Sequence, residues 1–194
     1  MYTRLLAAPL GLCLLLLAGC DKTLEDSLNP KSGGYTVYTI QQGQQYSLTP
    51  PSEFKGTEMN FKVIFDSSAI YTTVVPENQH DINKLYGFSD CGKEHHTESA
   101  RFGWRWSEDS LRLYAYCYTN SVMNFKQLGI ARIGAEHSCR IAIDGNKYLF
   151  TLDGKVDTMA RGCNTTEGSR YRLYPFFGGS ENAPHAIVIK IKEE

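Results

Sequence analysis

The chain has 194 residues, with 20 Lys and Arg against 21 Asp and Glu, a formal net charge of -1 at pH 7. That balance excludes the basic footprint of a nucleic-acid binder, and 42% hydrophobic with 12% aromatic residues is enough to build a packed core. No GxGxxG, GKS/GKT, GxSxG or HExxH stretch occurs, so dinucleotide, P-loop, serine-elbow and zincin chemistries lack their signatures.

At the start of the chain, Arg4 precedes an apolar run of 14 residues, Leu5 to Ala18. A membrane span needs roughly 20, so residues 1–19 read as a signal peptide and are set aside from the fold. Leu17-Ala18-Gly19-Cys20 resembles the bacterial lipoprotein box. That resemblance implies lipidation of Cys20 and a lipid membrane as partner, since two or more acyl chains hold a protein stably. Residues 20–34 carry Pro30, Gly33 and Gly34 and read as a tether. Asp21 resembles an inner-membrane retention signal, while acidic and lysine residues after the cysteine resemble a surface-export signal of the Bacteroidetes group. The expectation is a lipid-anchored envelope protein, at the outer membrane before the inner, with surface and periplasmic faces both open.

Residues 35–194 suit one domain with a sizeable core. GYTVYTIQQ and MNFKVIFDSS alternate, the latter placing Phe61, Val63 and Phe65 on one face. ARFGWRW places Phe102, Trp104 and Trp106 together, with Arg101, Gly103 and Arg105 opposite. SLRLYAYCYTN places Leu111, Leu113, Ala115 and Cys117 on one face and Arg112, Tyr114, Tyr116 and Tyr118 on the other. These are period-2 patterns of half-buried strands. FKQLGIARIG, SCRIAIDG, KYLFTLDG, RYRLYPFF and AIVIKIK follow, punctuated at DGN, LDGK, RGCN and FGGSENAP. Many short strands with regular turns predict an all-β fold: an antiparallel β-sandwich of jelly-roll, concanavalin-like form, with an eight-stranded barrel as the alternative.

Four cysteines remain in this domain, Cys91, Cys117, Cys139 and Cys163. In an oxidising compartment an even number predicts two disulfides, with three pairings open. Cys117 and Cys139 lie in strand-like runs, Cys91 and Cys163 in turn-rich ones. The expected pairs are therefore Cys117–Cys139 and Cys91–Cys163. No CxxC pair occurs, and the spacings do not match a compact zinc site.

INKLYGFSDCGKEHHTESARFGWRW, RLYAYCYTN and RLYPFFGGSENAPHAI together resemble a poorly characterised group of jelly-roll-like secreted and lipoprotein domains from Bacteroidetes-type bacteria. The resemblance spans roughly Phe61 to Ile191. Group members tend to read YPYFGG-x-E-x-APHDI in the last stretch; here Phe176 replaces the tyrosine and Ala186 the aspartate. The group's association with carbohydrate-handling systems implies a polysaccharide partner.

The side chains add a chemical argument. Arg101, Arg105, Arg112, Tyr114, Tyr116 and Tyr118 share one parity, so neighbouring strands would mix guanidinium groups and phenols on one face. Arginine forks onto carboxylate or sulfate, and tyrosine offers a flat ring with a hydroxyl. The first expectation is an envelope-anchored carbohydrate-binding protein for an acidic polysaccharide, with His185 as a further ligand contact. One alternative is a lyase acting on a uronate glycan by β-elimination, with Arg105 neutralising the carboxylate and His95, His96 and Tyr116 moving protons. The other is a noncatalytic structural or protein-binding module. Glu94, Glu98, Glu108 and Asp109 supply acids, but no E-x-D-x-x-E run favours hydrolysis. Trp104 and Trp106 share parity with Phe102 and read as core. Glu181, Asn182 and His185 could meet a ligand or a structural calcium, with Asp66, Asp81 and Asp90 as further oxygen donors. No other cofactor is implied.

Overall fold

The computed structural model describes residues 29–194; the expected signal segment and Cys20 lie outside the described residues. The strands in chain order are β1 (Lys31–Ser32), β2 (Tyr35–Ile40), β3 (Glu53–Phe54), β4 (Glu58–Phe65), β5 (Asn83–Ser89), β6 (Ser99–Ser107) and β7 (Ser110–Thr119). They continue with β8 (Val122–Ala131), β9 (Glu136–Asp144), β10 (Lys147–Leu152), β11 (Lys155–Ala160), β12 (Arg170–Leu173) and β13 (Ile187–Glu193). Two 3₁₀ turns, Ser67–Ala69 and Pro76–His80, lie between β4 and β5.

The strands form two antiparallel sheets. One runs β1-β2-β13-β4-β9-β10-β11, the other β3-β12-β5-β6-β7-β8. Packed face to face they make the expected jelly-roll sandwich, not a closed barrel. Tight turns set the register of several hairpins. Glu108 and Asp109 between β6 and β7, Asn120 and Ser121 between β7 and β8, and Asp153 and Gly154 between β10 and β11 all have positive φ. Two such residues in succession match the twist of the flanking strands.

Alternation sorts the side chains. Phe61, Val63 and Phe65 of β4, Phe102 and Trp104 of β6, and Leu111, Leu113 and Ala115 of β7 are buried between the sheets. Trp106 is half-buried and packs against the same core. Each large apolar side chain buried in this way contributes about 1.5–3 kcal/mol. The rings of Phe61, Phe102 and Phe150 meet edge to face, a geometry that suits their quadrupoles.

The structure corrects the cysteine expectation in one half. Cys91 and Cys163 form a disulfide, but Cys117 and Cys139 are free thiols. Cys117 is on β7 of one sheet and Cys139 on β9 of the other, each buried in the core. Their strand-like setting reports burial, where a thiol behaves as a small apolar group. Burial pushes both thiols up, away from the reactive thiolate. The segment read as a tether also contributes structure, since Lys31–Ser32 pairs with β2.

Candidate functional site: a cationic cleft on the six-stranded sheet

The outer face of the six-stranded sheet is built by cross-strand pairs. Ser99 stands opposite Tyr118, Arg101 opposite Tyr116, Gly103 opposite Tyr114 and Arg105 opposite Arg112. β8 adds Met123 opposite Tyr118 and Phe125 opposite Tyr116. Lys84 of β5 stands opposite Gly103. Directly paired residues project to the same side, so the parity that buries Phe102 and Trp104 turns Arg101 and Tyr116 outward. A β-bulge lies between Lys84 and Gly87. A Cβ at Gly87 would collide with the backbone of Ala100, so the close approach of β5 and β6 there requires glycine.

Loops turn this face into a cleft of about 610 Å³, within the range of small-ligand sites. Arg101, Lys84 and Tyr116 line it, with Tyr118 and the two histidines on one side. His80 and Asp81 follow the second 3₁₀ turn, and Phe176, Gly178 and Gly179 follow β12. The latter loop is pinned to β5. Lys84 and Phe176 exchange backbone hydrogen bonds of 2.8 and 2.9 Å, and the Lys84 ammonium donates to the Gly178 carbonyl at 2.8 Å.

Arg101 is the electrostatic centre. It is 7% exposed and donates to the Tyr174 carbonyl, while its buried Nε has no partner among the described residues. Burial lowers its pKa to about 10, so it remains a cation at neutral pH. A buried donor left unpaired costs about 1–3 kcal/mol. Lys84 lies over the rings of Tyr116 and Phe176, at 5.4 and 5.7 Å. Burial, then the field of Arg101, lowers its pKa to about 8. Burial, and then the neighbouring Tyr118 phenol, push the Tyr116 hydroxyl up, which keeps it protonated.

The histidines reach the cleft on a pinned loop. Asp90 is fully buried and accepts from Arg161 at 2.6 Å, Arg170 at 2.7 Å and Tyr148 at 2.9 Å. Burial opposes its charge, but the bonds from Arg161, the Cys91 N–H and Tyr148 outweigh it and lower its pKa. The adjacent Cys91–Cys163 bridge closes the loop. Beyond it, the His95 N–H donates to Tyr171 Oη at 3.0 Å, and His95 Nδ1 meets the same oxygen at 2.9 Å. The His95 and His96 rings lie 4.2 Å apart. Burial, then His96 and Arg101, lower the pKa of His95.

Arg105, Arg112, Tyr114 and His185 fall outside the cleft lining. Arg105 donates to the His80 carbonyl at 2.6 Å and to Ser107 Oγ at 3.3 Å. Its guanidinium covers the Tyr114 ring, which leaves Tyr114 only 2% exposed. Arg112 pairs with Glu108, and His185 meets the Ser68 carbonyl at 2.8 Å. The acids considered for calcium bond to protein donors. Asp66 caps Ser68, Asp81 accepts from the Ser180 N–H, and Glu181 accepts from Val74, Val75 and Asn78. Among the described residues, Asp90, Cys91 and Cys163 are the one group spaced to share an ion; the thiols are bridged and the carboxylate is held by two arginines.

The structure thus brings together Arg101, Tyr116, Tyr118, His95 and His96. It adds Lys84, Met123 and Phe125, which sequence reasoning missed. The signal for Lys84 is a lone cation inside the apolar run INKLYGF. All three stretches that carried the sequence resemblance converge on this cleft.

No family model matches the chain, and no curated protein matches its sequence. Solved structures share its fold. An alginate lyase from a Chlorella virus, vAL-1, superposes with a TM-score of 0.51 at 12% identity, covering 85% of this chain and 86% of that one. The alginate lyase AlyC3 superposes with a TM-score of 0.55 at 9% identity, over 82% and 74% of the two chains. The laminarinase catalytic domain of Thermotoga maritima gives 0.55 at 9% identity, over 87% and 79%. At such identities the likeness establishes the jelly-roll fold alone.

Proposed function

We propose that this protein binds a uronate-containing polysaccharide in the cleft and cleaves it by β-elimination, and that Cys20 holds it at the cell envelope. The observation that carries the reading is Arg101, a buried cation with an unpartnered Nε at the base of a cleft shared with Lys84. Carboxylate recognition is the chemistry that suits such a donor. Two of the structural neighbours are alginate lyases by name and one is a laminarinase, which favours a glycan ligand. Retaining hydrolysis needs two carboxyl groups about 5–5.5 Å apart. Among the described residues only Asp81 brings a carboxylate to the cleft lining, so elimination fits better than hydrolysis.

In this reading Arg101 holds the uronate carboxylate and stabilises charge that develops as the C5 proton leaves. Neutral Lys84 takes that proton. The C4–O bond breaks as a C4=C5 double bond forms, and the Tyr116 hydroxyl protonates the departing glycosidic oxygen. Arg101 takes the place first given to Arg105, because Arg105 is committed to the His80 carbonyl.

The test is incubation with a panel of uronate polymers, following near-ultraviolet absorbance of the new double bond and glycan binding in parallel. Arg101→Lys keeps the charge but loses the fork, and we expect kcat/KM to fall about 10²-fold. Binding with a flat absorbance trace would make the protein a noncatalytic carbohydrate binder, a reading that the open Met123 and Phe125 side chains in the cleft also favour. A folded protein that neither binds nor cleaves any uronate polymer would overturn both.

A further inference from the structure

We propose that the cleft selects a glycan in which each uronate is flanked by uncharged sugars, and disfavours an unbroken run of uronates. This rests on the reading that the cleft binds uronate polymers. The first observation is that its two basic side chains, Arg101 and Lys84, stand together rather than in a row. Lys84 pairs with Gly103 and Arg101 with Gly87 across the same two strands, separated only by the bulge. The other arginines of this sheet face are committed elsewhere, Arg105 to the His80 carbonyl and Arg112 to Glu108. One carboxylate can be neutralised at the centre, and beyond Arg101 and Lys84 no guanidinium or ammonium lines the cleft among the described residues.

The second observation lies on the β8 side. Met123 and Phe125 line the cleft yet are 43% and 51% exposed. β8 is the edge of its sheet, where proteins ordinarily place charge to discourage pairing. An open apolar pair at that edge, continuous with the cation centre, suits the C–H face of a pyranose ring, which buries apolar surface without a charge to desolvate. Phe125 is steadied by the Tyr114 ring at 6.1 Å, edge to face.

The third observation lies at the other end. Asp81 lines the cleft there and accepts a 3.3 Å hydrogen bond from the Ser180 N–H. A uronate in that position would meet a like charge, whereas an uncharged sugar would donate hydroxyl hydrogen bonds to it. The cleft therefore reads, from β8 to the 3₁₀ turn, as apolar, cationic and anionic, which matches an uncharged–uronate–uncharged sequence.

The test compares affinity and cleavage for homopolyuronates (alginate, polygalacturonate) with unsulfated alternating polymers (hyaluronan, chondroitin, heparosan). We expect the alternating class to bind about tenfold or more tightly than the homopolymers. Phe125→Ala, a surface change, should weaken the alternating class about tenfold. Asp81→Asn should raise homopolyuronate affinity about fivefold and so narrow the ratio. A wild-type preference for homopolyuronates, or a ratio that neither variant moves, overturns this inference and leaves the uronate reading standing. Folded wild-type protein that binds no polymer of either class overturns the uronate reading itself.

Discussion

Lys84 and Arg101 share a cleft but respond differently to pH. Arg101, lowered to about 10, stays charged across the working range, while Lys84, lowered to about 8, does not. The two roles open to Lys84 have opposite signs. A proton acceptor must be neutral, so turnover should rise from about pH 6 and level off above about 8. A carboxylate clamp must be charged, so glycan affinity should weaken as pH rises through about 8. Measuring kcat/KM and affinity across this range, with Lys84→Met as control, separates them: loss of the rising limb in the variant assigns the proton transfer to Lys84. A plateau reached well below the Lys84 range would point to His95, whose pKa is also depressed. Parity in the sequence placed Arg101 and Arg105 on one face and did so correctly. It could not tell which arginine lines the cleft, because the choice depends on a carbonyl 25 residues from Arg105, that of His80.

At the level of elements, the loop from Cys91 to Thr97 acts as a bracket for the histidines. It is held by the bridge to Cys163, by Asp90 between two arginines, and by a Gly92 N–H bond to the Ser169 carbonyl. The bridge spans 72 residues, a closure that stabilises by about 4 kcal/mol in the chain-entropy account. We expect Cys91→Ser with Cys163→Ser to lower the urea unfolding free energy by up to that amount and to weaken glycan binding as His95 and His96 lose their support. Unchanged stability on reduction would deny the bridge this role. This pair was legible because both cysteines sit among turn residues. The wrong pair shows the limit of the same argument: a cysteine in an alternating strand has its direction set by the core, and direction alone does not name a partner. β5 and β11 were also missed. β11 carries exposed Val156 and few other apolar groups, and it is held through its pairing with β10 across the Asp153-Gly154 turn.

For the whole molecule, most of the sandwich could be read from alternation, because a sheet with one buried face must alternate. The cleft could not, since it depends on which strands become neighbours and on loops from opposite ends of the chain. Strand order carries a further consequence. β13, the last strand, lies between β2 and β4 in the seven-stranded sheet. Until Ile187–Glu193 is available, β2 and β4 are two unpaired edges facing a gap, and the apolar side chains of Ile187, Ile189 and Ile191 are missing from the core. Non-local closure of this kind makes folding slow and leaves the growing chain without its native sheet during synthesis. A chain ending at residue 186 should accumulate as aggregate, read by sedimentation of the expressed protein; a soluble, cooperatively melting truncation would refute this. The same delay keeps the nascent polypeptide threadable until its final strand has emerged.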